Sequence, residues 1–338
     1  GCRIGVRMKV DWPVEIAGTG MYVPERVFTN TDFEKQGMET SDEWIVKRTG
    51  IRERRFCRDD ESTLDLAEAA SRAALENAGL TPNDIDLIIC GTITPEHTLP
   101  ATACELQARL GCREIPAFDQ VSACTGFTWS FLSASQFIVG GMAERALVIG
   151  AEAMSRITDL QDRGTAILFG DAAGAAILQR STAAERKVLA ARMGSDGTQS
   201  QSIWIPAGGS KEPTTPRTVN EKLHFVRMNG REVYKFAVTK MQEVMQGTLD
   251  DAGVSEADVA YVIPHQSNLR IIESACEKLG FGLDRVMINI DRYGNTSAAS
   301  VAVGLHEARR DGKIKSGDLV LMMAFGAGLT WGSALVRM

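Results

Sequence analysis

No apolar run in the sequence approaches the roughly 20 residues that a membrane-spanning helix needs, and no secretory leader pattern is present. Histidine is scarce, at four in 338 residues. The seven cysteines, at 2, 57, 90, 104, 112, 124 and 276, are odd in number and include no CxxC pair. A structural metal site and a disulfide framework therefore have little support, and reduced thiols in a cytoplasm fit the pattern. A basic surplus is also lacking: the net charge is −6, which argues against a general nucleic-acid binder. With 44% hydrophobic and 24% charged residues, extensive disorder is not expected, and the length allows two domains or one large one. Gly18-x-Gly20 lacks the third glycine of a dinucleotide fingerprint, and Tyr22-Val23-Pro24 cannot open the helix that such a fingerprint requires. Gly1 to Arg7 precede Met8 and read as a processing remnant.

What is present centres on Phe118-Asp119-Gln120-Val121-Ser122-Ala123-Cys124-Thr125-Gly126-Phe127. The residues before Cys124 read as a strand. Those from Thr125 to Val139 read as a helix with Phe127, Phe131, Ala134 and Ile138 on one face. Cys124 then sits at a strand-to-helix corner, where helix N–H groups and the dipole favour a thiolate and lower its pKa. The competing reading is a buried cysteine acting as a small hydrophobe. Downstream, His265 follows a strand-like Val259 to Ile263, and Asn295 follows a strand-like Val286 to Ile290. Strand ends are where open α/β sheets present their chemistry, and a cysteine, a histidine and an asparagine there make an acyl-transfer site.

The chain looks duplicated. Ala78-Gly79-Leu80 to Ile89 and Ala252-Gly253-Val254 to Ile263 share one pattern at an offset of 174 residues: helix, Ala-Gly-hydrophobe, a short link with aspartate at the same place, then a strand. Phe169-Gly170 leading to Gly174-Ala175-Ala176 is echoed by Phe325-Gly326 leading to Gly332-Ser333-Ala334. Two similar α/β halves are expected, residues 8–185 with the nucleophile and 186–338 with the histidine and asparagine. Further elements are read as follows. Helices span Leu64 to Ala78, Pro100 to Leu110 and Tyr234 to Asp251, the last preceded by Arg231 and carrying Lys235 one turn on. Strands cover Asp86 to Cys90 and Arg145 to Gly150, while Asp162-Arg163-Gly164 and Gly194 to Pro216 are loops. Thr40-Ser41-Asp42-Glu43-Trp44 opens a short helix that ends in the basic cluster Lys47 to Arg55. That cluster is either a solvated face or a cradle for a phosphorylated nucleotide.

Several of these residues stand in motifs of one family. Thr40 to Val46, Arg48-Thr49-Gly50-Ile51-Arg52, Asp162-Arg163-Gly164-Thr165, Phe169-Gly170-Asp171, His265-Gln266-Ser267-Asn268-Leu269-Arg270, Gly294-Asn295-Thr296-Ser297 and the closing Thr330 to Arg337 occur in order. From about Glu15 to Met338 the chain resembles β-ketoacyl-acyl-carrier-protein synthase III, the condensing enzyme that starts bacterial fatty-acid synthesis. The resemblance implies an α/β thiolase fold with duplicated halves in five α-β-α-β-α layers, usually as a homodimer.

By position, it also implies that Cys124 is the acylated nucleophile and that His265 and Asn295 form the decarboxylation pair. The oxyanion would be held by backbone N–H groups of Cys124 and of the Gly326-Ala327-Gly328 turn, Ala327 among them. Coenzyme A contacts fall on Thr40, Trp44, Arg48, Arg163, Gly164, Gly230 and Asn268. Carrier-protein docking falls on Gln266 and Arg270, and the acyl pocket on Leu99 and Phe325. Acyl-CoA and malonyl-acyl carrier protein are the implied substrates, with no metal or organic cofactor. Thr125, Ala327, Leu99, Arg231 and Tyr234 depart from common family residues. Arg52, Arg54 and Arg55 are left as surface charges, His97, His224 and His306 as residues without a partner motif, and Cys90, Cys104, Cys112 and Cys276 as packing residues. Two rivals stand beside this reading: an acyltransferase of secondary metabolism that uses coenzyme A substrates throughout, and a catalytically silent scaffold homologue.

Overall fold

A computed structural model describes residues 6–338, with side chains from Val10 onward. The chain opens on β1 (Val6–Trp12) and β2 (Val14–Tyr22). A ribbon of β3 (Val27–Thr29) and β4 (Glu53–Arg55) then brackets α1 (Asn30–Lys35) and α2 (Asp42–Thr49). The first half continues through α3 (Thr63–Ala78), β5 (Leu87–Gly91), α4 (Thr102–Leu110), β6 (Ala117–Gln120), α5 (Gly126–Val139), β7 (Arg145–Glu152), the short α6 (Arg163–Ala166) and β8 (Ala172–Arg180). The second half begins with β9 (Lys187–Ser195), β10 (Ile203–Trp204), α7 (Pro216–Asn220), β11 (Arg227–Met228) and α8 (Gly230–Ala252). It goes on through β12 (Tyr261–Pro264), α9 (Leu269–Lys278), α10 (Ile290–Tyr293), α11 (Ser300–Arg310), β13 (Leu319–Gly326) and β14 (Thr330–Arg337).

Two five-stranded sheets dominate, in the orders β2-β8-β7-β5-β6 and β1-β9-β14-β13-β12. Helices α5 and α11 lie between them. Phe127, Phe131 and Ile138 of the one and Val301 and Leu305 of the other share a core with Ile89 and Val148 of the first sheet and Met322 and Val336 of the second. The alanine-rich α3 packs with α4 on the outside of the first sheet, and α8 with α9 on the outside of the second. These are the five α-β-α-β-α layers expected of the thiolase fold.

The duplication is physical as well as textual. Helices α3 and α8 both end on a left-handed glycine, Gly79 and Gly253. Each is followed by a capped 3-10 turn, with Asp84 on Thr81 and Asp258 on Ser255, and then by β5 or β12. Near the centre, Ala123 and Ser297, again 174 residues apart, both hold a left-handed backbone with φ of 49° and 51°. A non-glycine residue rarely adopts that conformation, and here it turns each half sharply into α5 or α11.

Five expectations are corrected. Val6 and Arg7, read as a processing remnant, belong to β1 and pair with Met193 and Arg192, so the first strand lies in the second half's sheet; Gly1 to Gly5 lie outside the described residues. Val286 to Ile290 forms no strand but one isolated bridge, Val262 to Val286. The Gln266 side chain occupies the groups that a ladder would use, donating to the Met287 carbonyl and accepting from the N–H groups of Asn289 and Ile290. Arg54 is not a surface charge. It is fully buried and donates to the carbonyls of Phe28 and Ile167 and to Asn30 Oδ1. Cys104 is exposed rather than packed. Asp162-Arg163-Gly164, read as a loop, instead caps and opens α6 (Arg163–Ala166).

Candidate active site

Cys124 sits in a 3-10 turn, Ala123–Thr125, between β6 and α5. Thr125 Oγ1 donates to the Ser122 carbonyl at 2.6 Å and lies 3.1 Å from Thr330 Oγ1, which donates to the Ala327 carbonyl at 3.0 Å. Threonine at 125 thus ties the Cys124 turn to the Gly326-Ala327-Gly328 turn of the other half. Gly326 presses so close that a Cβ there would lie 2.8 Å from Cys124 N. Only a glycine lets the two backbones approach this far.

His265 follows Pro264 at the end of β12, and its N–H donates to the Met323 carbonyl at 2.7 Å. Its ring meets Phe325 edge to face, with centroids 5.7 Å apart. Burial drives its pKa down to about 3, so the imidazole is neutral across the physiological range. Asn295 is held by its backbone, its N–H donating to Leu168 O and its carbonyl accepting from Gly170 N. Its Oδ1 accepts the Ser297 N–H at 2.9 Å, which leaves the amide NH2 as the free end.

Cys124, His265, Asn295, Ser297, Phe325, Gly326 and Ala327 all line one cavity of about 780 Å³. At its other end stand Trp44, Lys47, Arg48, Arg163, Arg231 and Arg270. The five cations are exposed, whereas His265 and Asn295 are buried, so the cavity runs from a charged mouth to a buried floor. Its lining includes no aspartate or glutamate, although the chain as a whole carries −6. The guanidiniums of Arg48 and Arg163 lie 4.4 and 4.7 Å from the centroid of the Trp44 ring, a cation–π arrangement on an aromatic platform. A mouth of this kind suits an anionic ligand with a flat aromatic end.

The thiol behaves differently from the expectation. Cys124 is partly exposed to the cavity, yet the apolar walls exclude bulk water and push its pKa up to about 12; contact with Ser297 and with its own N–H only partly offsets this. Burial of the sulfur thus opposes the thiolate that a helix N-terminus would favour.

Several anticipated contacts are placed and several are not. Gly164, Gly230 and Asn268 line the cavity, but the Asn268 side chain is already engaged, donating to the Arg48 carbonyl at 3.0 Å and capping α9 through Arg270 N. Thr40 lies outside the cavity, because it precedes the Ser41 cap of α2 and the helix turns Trp44, Lys47 and Arg48 inward instead. Gln266 cannot dock a carrier protein: it is 1% exposed and its amide is spent on four backbone groups. Arg270 is exposed at the mouth. Leu99, expected in the acyl pocket, is 87% exposed and outside the chain's own cavity, whereas Phe325 is buried against it. Sequence reasoning gave no role to Ser297, whose Oγ lies 3.6 Å from Cys124 Sγ; the 174-residue offset from Ala123 was the available signal.

Residues 118–197 match the family described as 3-oxoacyl-[acyl-carrier-protein (ACP)] synthase III, and residues 249–338 match the C-terminal region of the same family. The β-ketoacyl-[acyl-carrier-protein] synthase III of Symbiobacterium thermophilum is 48% identical over 325 residues, covering 96% of this chain and 98% of that protein. That of Mesorhizobium japonicum is 49% identical over 326 residues, covering 95% and 98%. The crystal structure of 3-oxoacyl-[acyl-carrier-protein] synthase III from Aquifex aeolicus VF5 superposes with a TM-score of 0.89 at 44% identity, covering 96% of this chain and all of that one.

Proposed function

The chain belongs to the 3-oxoacyl (β-ketoacyl) acyl-carrier-protein synthase III family, and from that premise we propose how its own residues carry the condensing acyltransferase reaction. The Cys124 thiol attacks the carbonyl of an acyl-CoA thioester, and the oxyanion forms against the backbone N–H groups of Cys124 and the Gly326-Ala327 turn. One such donor is worth about 10² to 10³ in rate. The tetrahedral adduct collapses, coenzyme A leaves as its thiol, and the acyl group stays on sulfur. Malonyl-acyl carrier protein then enters. As its carboxylate departs as CO2, the electron pair moves onto the thioester oxygen, which needs hydrogen-bond donors rather than a base. His265 and Asn295 supply them. A neutral imidazole offers an N–H without demanding a proton, and the His265 Nδ1 has no hydrogen-bond partner among the described residues, which favours placing the ring proton on Nε2. The Asn295 amide cannot titrate, and its oxygen is already committed to Ser297. The enolate carbon attacks the acyl-cysteine, releasing β-ketoacyl-acyl carrier protein and the Cys124 thiolate, which takes a proton from solvent to regenerate the thiol. The thioester acidifies the α-carbon and decarboxylation drives the step, so the reaction calls for neither metal nor organic prosthetic group.

The observation that carries this reading is the convergence of Cys124 from one half with His265 and Asn295 from the other on a single cavity with a cationic mouth. At that mouth Trp44, Arg48 and Arg163 receive the adenine and phosphates of coenzyme A, and Arg270 meets the acidic surface of the carrier protein. A homodimer fits the edge of the first sheet, where β6 is the last strand among the described residues, Val121, 78% exposed, follows it, and Leu99, 87% exposed, precedes the α4 helix that packs on it. The acyl-pocket role of Leu99 then requires that it enter the partner's cavity. The six described cysteines are all free, in keeping with a cytoplasmic enzyme. No helix among the described residues is long and apolar enough to cross a membrane. Incubation with isotopically labelled acetyl-CoA, followed by peptide mass spectrometry, tests the assignment: label on Cys124 supports it, and an unlabelled Cys124 with every short acyl-CoA tried points to the scaffold reading.

A further inference from the structure

Below the nucleophile lies an ionisable group that the mechanism above does not use. Glu152 is the last residue of β7, is fully buried, and forms no ion pair among the described residues. Its two oxygens are treated unequally. Oε1 accepts from Thr92 Oγ1 at 2.7 Å, Ile93 N at 2.7 Å, Thr94 Oγ1 at 3.1 Å and Thr94 N at 3.3 Å. Oε2 has no hydrogen-bond partner of ordinary geometry. A carboxylate shares its charge between equivalent oxygens, so a buried carboxylate with one saturated oxygen and one bare one is costly. A carboxylic acid fits this pattern: the carbonyl oxygen takes the donors, and the other carries a proton to give.

The recipient is at hand. The Ser297 hydroxyl approaches the carboxyl, without closing a bond of standard geometry, and lies 3.6 Å from Cys124 Sγ. Ser297 is 1% exposed, its left-handed backbone is fixed, and its N–H holds the Asn295 amide oxygen. One serine therefore contacts Cys124 and Asn295 and stands near the buried acid. We propose that Glu152 is a positioning residue: held neutral, it donates through Oε2–H to Ser297 Oγ and so turns the serine proton toward the Cys124 sulfur. A hydrogen bond is thereby aimed at the charge that develops on sulfur during attack. If Glu152 ionised, the serine proton would swing to the carboxylate, and a negative charge would stand beneath the forming thiolate.

Burial raises the Glu152 pKa and outweighs the opposite pull of Ser297, Thr92, Ile93 and Thr94, in keeping with this. The other ionisable groups that feel it are the thiols of Cys90 on β5 and of Cys124; its remaining partners, Thr92, the Ile93 backbone, Thr94 and Ser297, are uncharged. The assignment presupposes that Cys124 is the nucleophile of the proposed function, but its test needs no acyl-CoA. The rate of Cys124 alkylation by iodoacetamide is followed against pH in wild type, Ser297→Ala and Glu152→Gln. Alanine already holds the matching backbone conformation at position 123, so Ser297→Ala leaves the local strain unchanged. A hydrogen bond to a charged acceptor contributes about 1.5 to 3 kcal/mol, so Ser297→Ala is expected to alkylate roughly 10- to 100-fold more slowly at a given pH. Glu152→Gln, whose amide accepts and donates at the same positions without titrating, stays within about threefold of wild type, since its relay is intact. The difference infrared spectrum of wild type against Glu152→Gln should show the carbonyl stretch of a protonated carboxylic acid at neutral pH, a readout independent of any rate. A carboxylate band there instead, an unchanged Ser297→Ala profile, or a Glu152→Gln loss equal to that of Ser297→Ala would overturn the proposal. A failure of Cys124 to take label from acyl-CoA would count against the condensing mechanism alone.

Discussion

Replacing Gly326 by alanine isolates the oxyanion contribution from the reactivity of the sulfur. The added Cβ would meet Cys124 N at 2.8 Å, Cys124 Cβ at 3.0 Å and Cys124 Cα at 3.3 Å. Two of these are backbone atoms, and no side-chain rotation relieves them. Carbon contacts settle near about 3.5 Å or more, so the end of β13 and the nucleophile's turn must part by roughly half an ångström. Oxyanion donors act only within a narrow range of distance, so a displacement of that size removes most of one donor and slows acyl transfer by about 10² to 10³, equivalent to about 3 to 4 kcal/mol. The strain also costs about 1 to 3 kcal/mol of stability, which a urea titration measures separately. Transfer of labelled acetyl from acetyl-CoA to Cys124 in a single turnover reads the first effect, and iodoacetamide alkylation serves as the control. Alkylation displaces iodide at a saturated carbon and develops no oxyanion, so it should change by less than about fivefold while acyl transfer falls at least about 100-fold. Acyl transfer within a few fold of wild type, or a parallel fall of both rates, would refute the placement of the oxyanion between these two turns.

Arg270→Glu should raise KM for malonyl-acyl carrier protein by about tenfold or more while leaving KM for acyl-CoA nearly unchanged, and the wild-type KM for the carrier should climb with ionic strength as surface charges are screened. Gln266→Ala should act through stability: four buried backbone groups lose their partner, with a cost of about 3 kcal/mol or more by urea unfolding, and carrier-protein KM should not move in any variant that remains folded. The pKa of His265 is lowered to about 3 by burial, so between about 6.5 and 3 the unfolded chain binds the proton that the folded one refuses. Its contribution to stability is therefore complete above about pH 6.5 and is lost at up to about 1.4 kcal/mol per unit as pH falls toward 3. His265→Asn should flatten that slope in pH-dependent urea titrations.

That Cys124, His265 and Asn295 would meet in one cavity was legible because each closes a strand or opens a turn, and such positions leave a local signature. Cys124 follows β6, His265 follows β12, and the 174-residue echo relates the two halves in the sequence itself. What stayed hidden depends on partners distant in the chain. Gln266 stands in the same motif as His265 and Arg270, yet its side chain folds back onto Met287, Asn289 and Ile290, which also dismantles the strand anticipated there. Arg54 sits amid surface arginines, but the β3–β4 ribbon carries it inward to the carbonyls of Phe28 and Ile167. The desolvation of the thiol stayed hidden because helix position can be read from sequence, whereas the apolar walls around the sulfur come from both halves. Glu152 was invisible for the same reason: in the sequence it is one acidic residue ending a hydrophobic strand.

Asn295→Ala, followed through both half-reactions, tests most directly whether residues of the two halves share one substrate and divide its chemistry. Acetyl-Cys124 should form at a rate within a few fold of wild type, while condensation with malonyl-acyl carrier protein falls by about 10² or more, so that the acyl-enzyme accumulates and can be seen by intact-mass spectrometry. Equal loss of the two half-reactions, or condensation at the wild-type rate, would contradict the account.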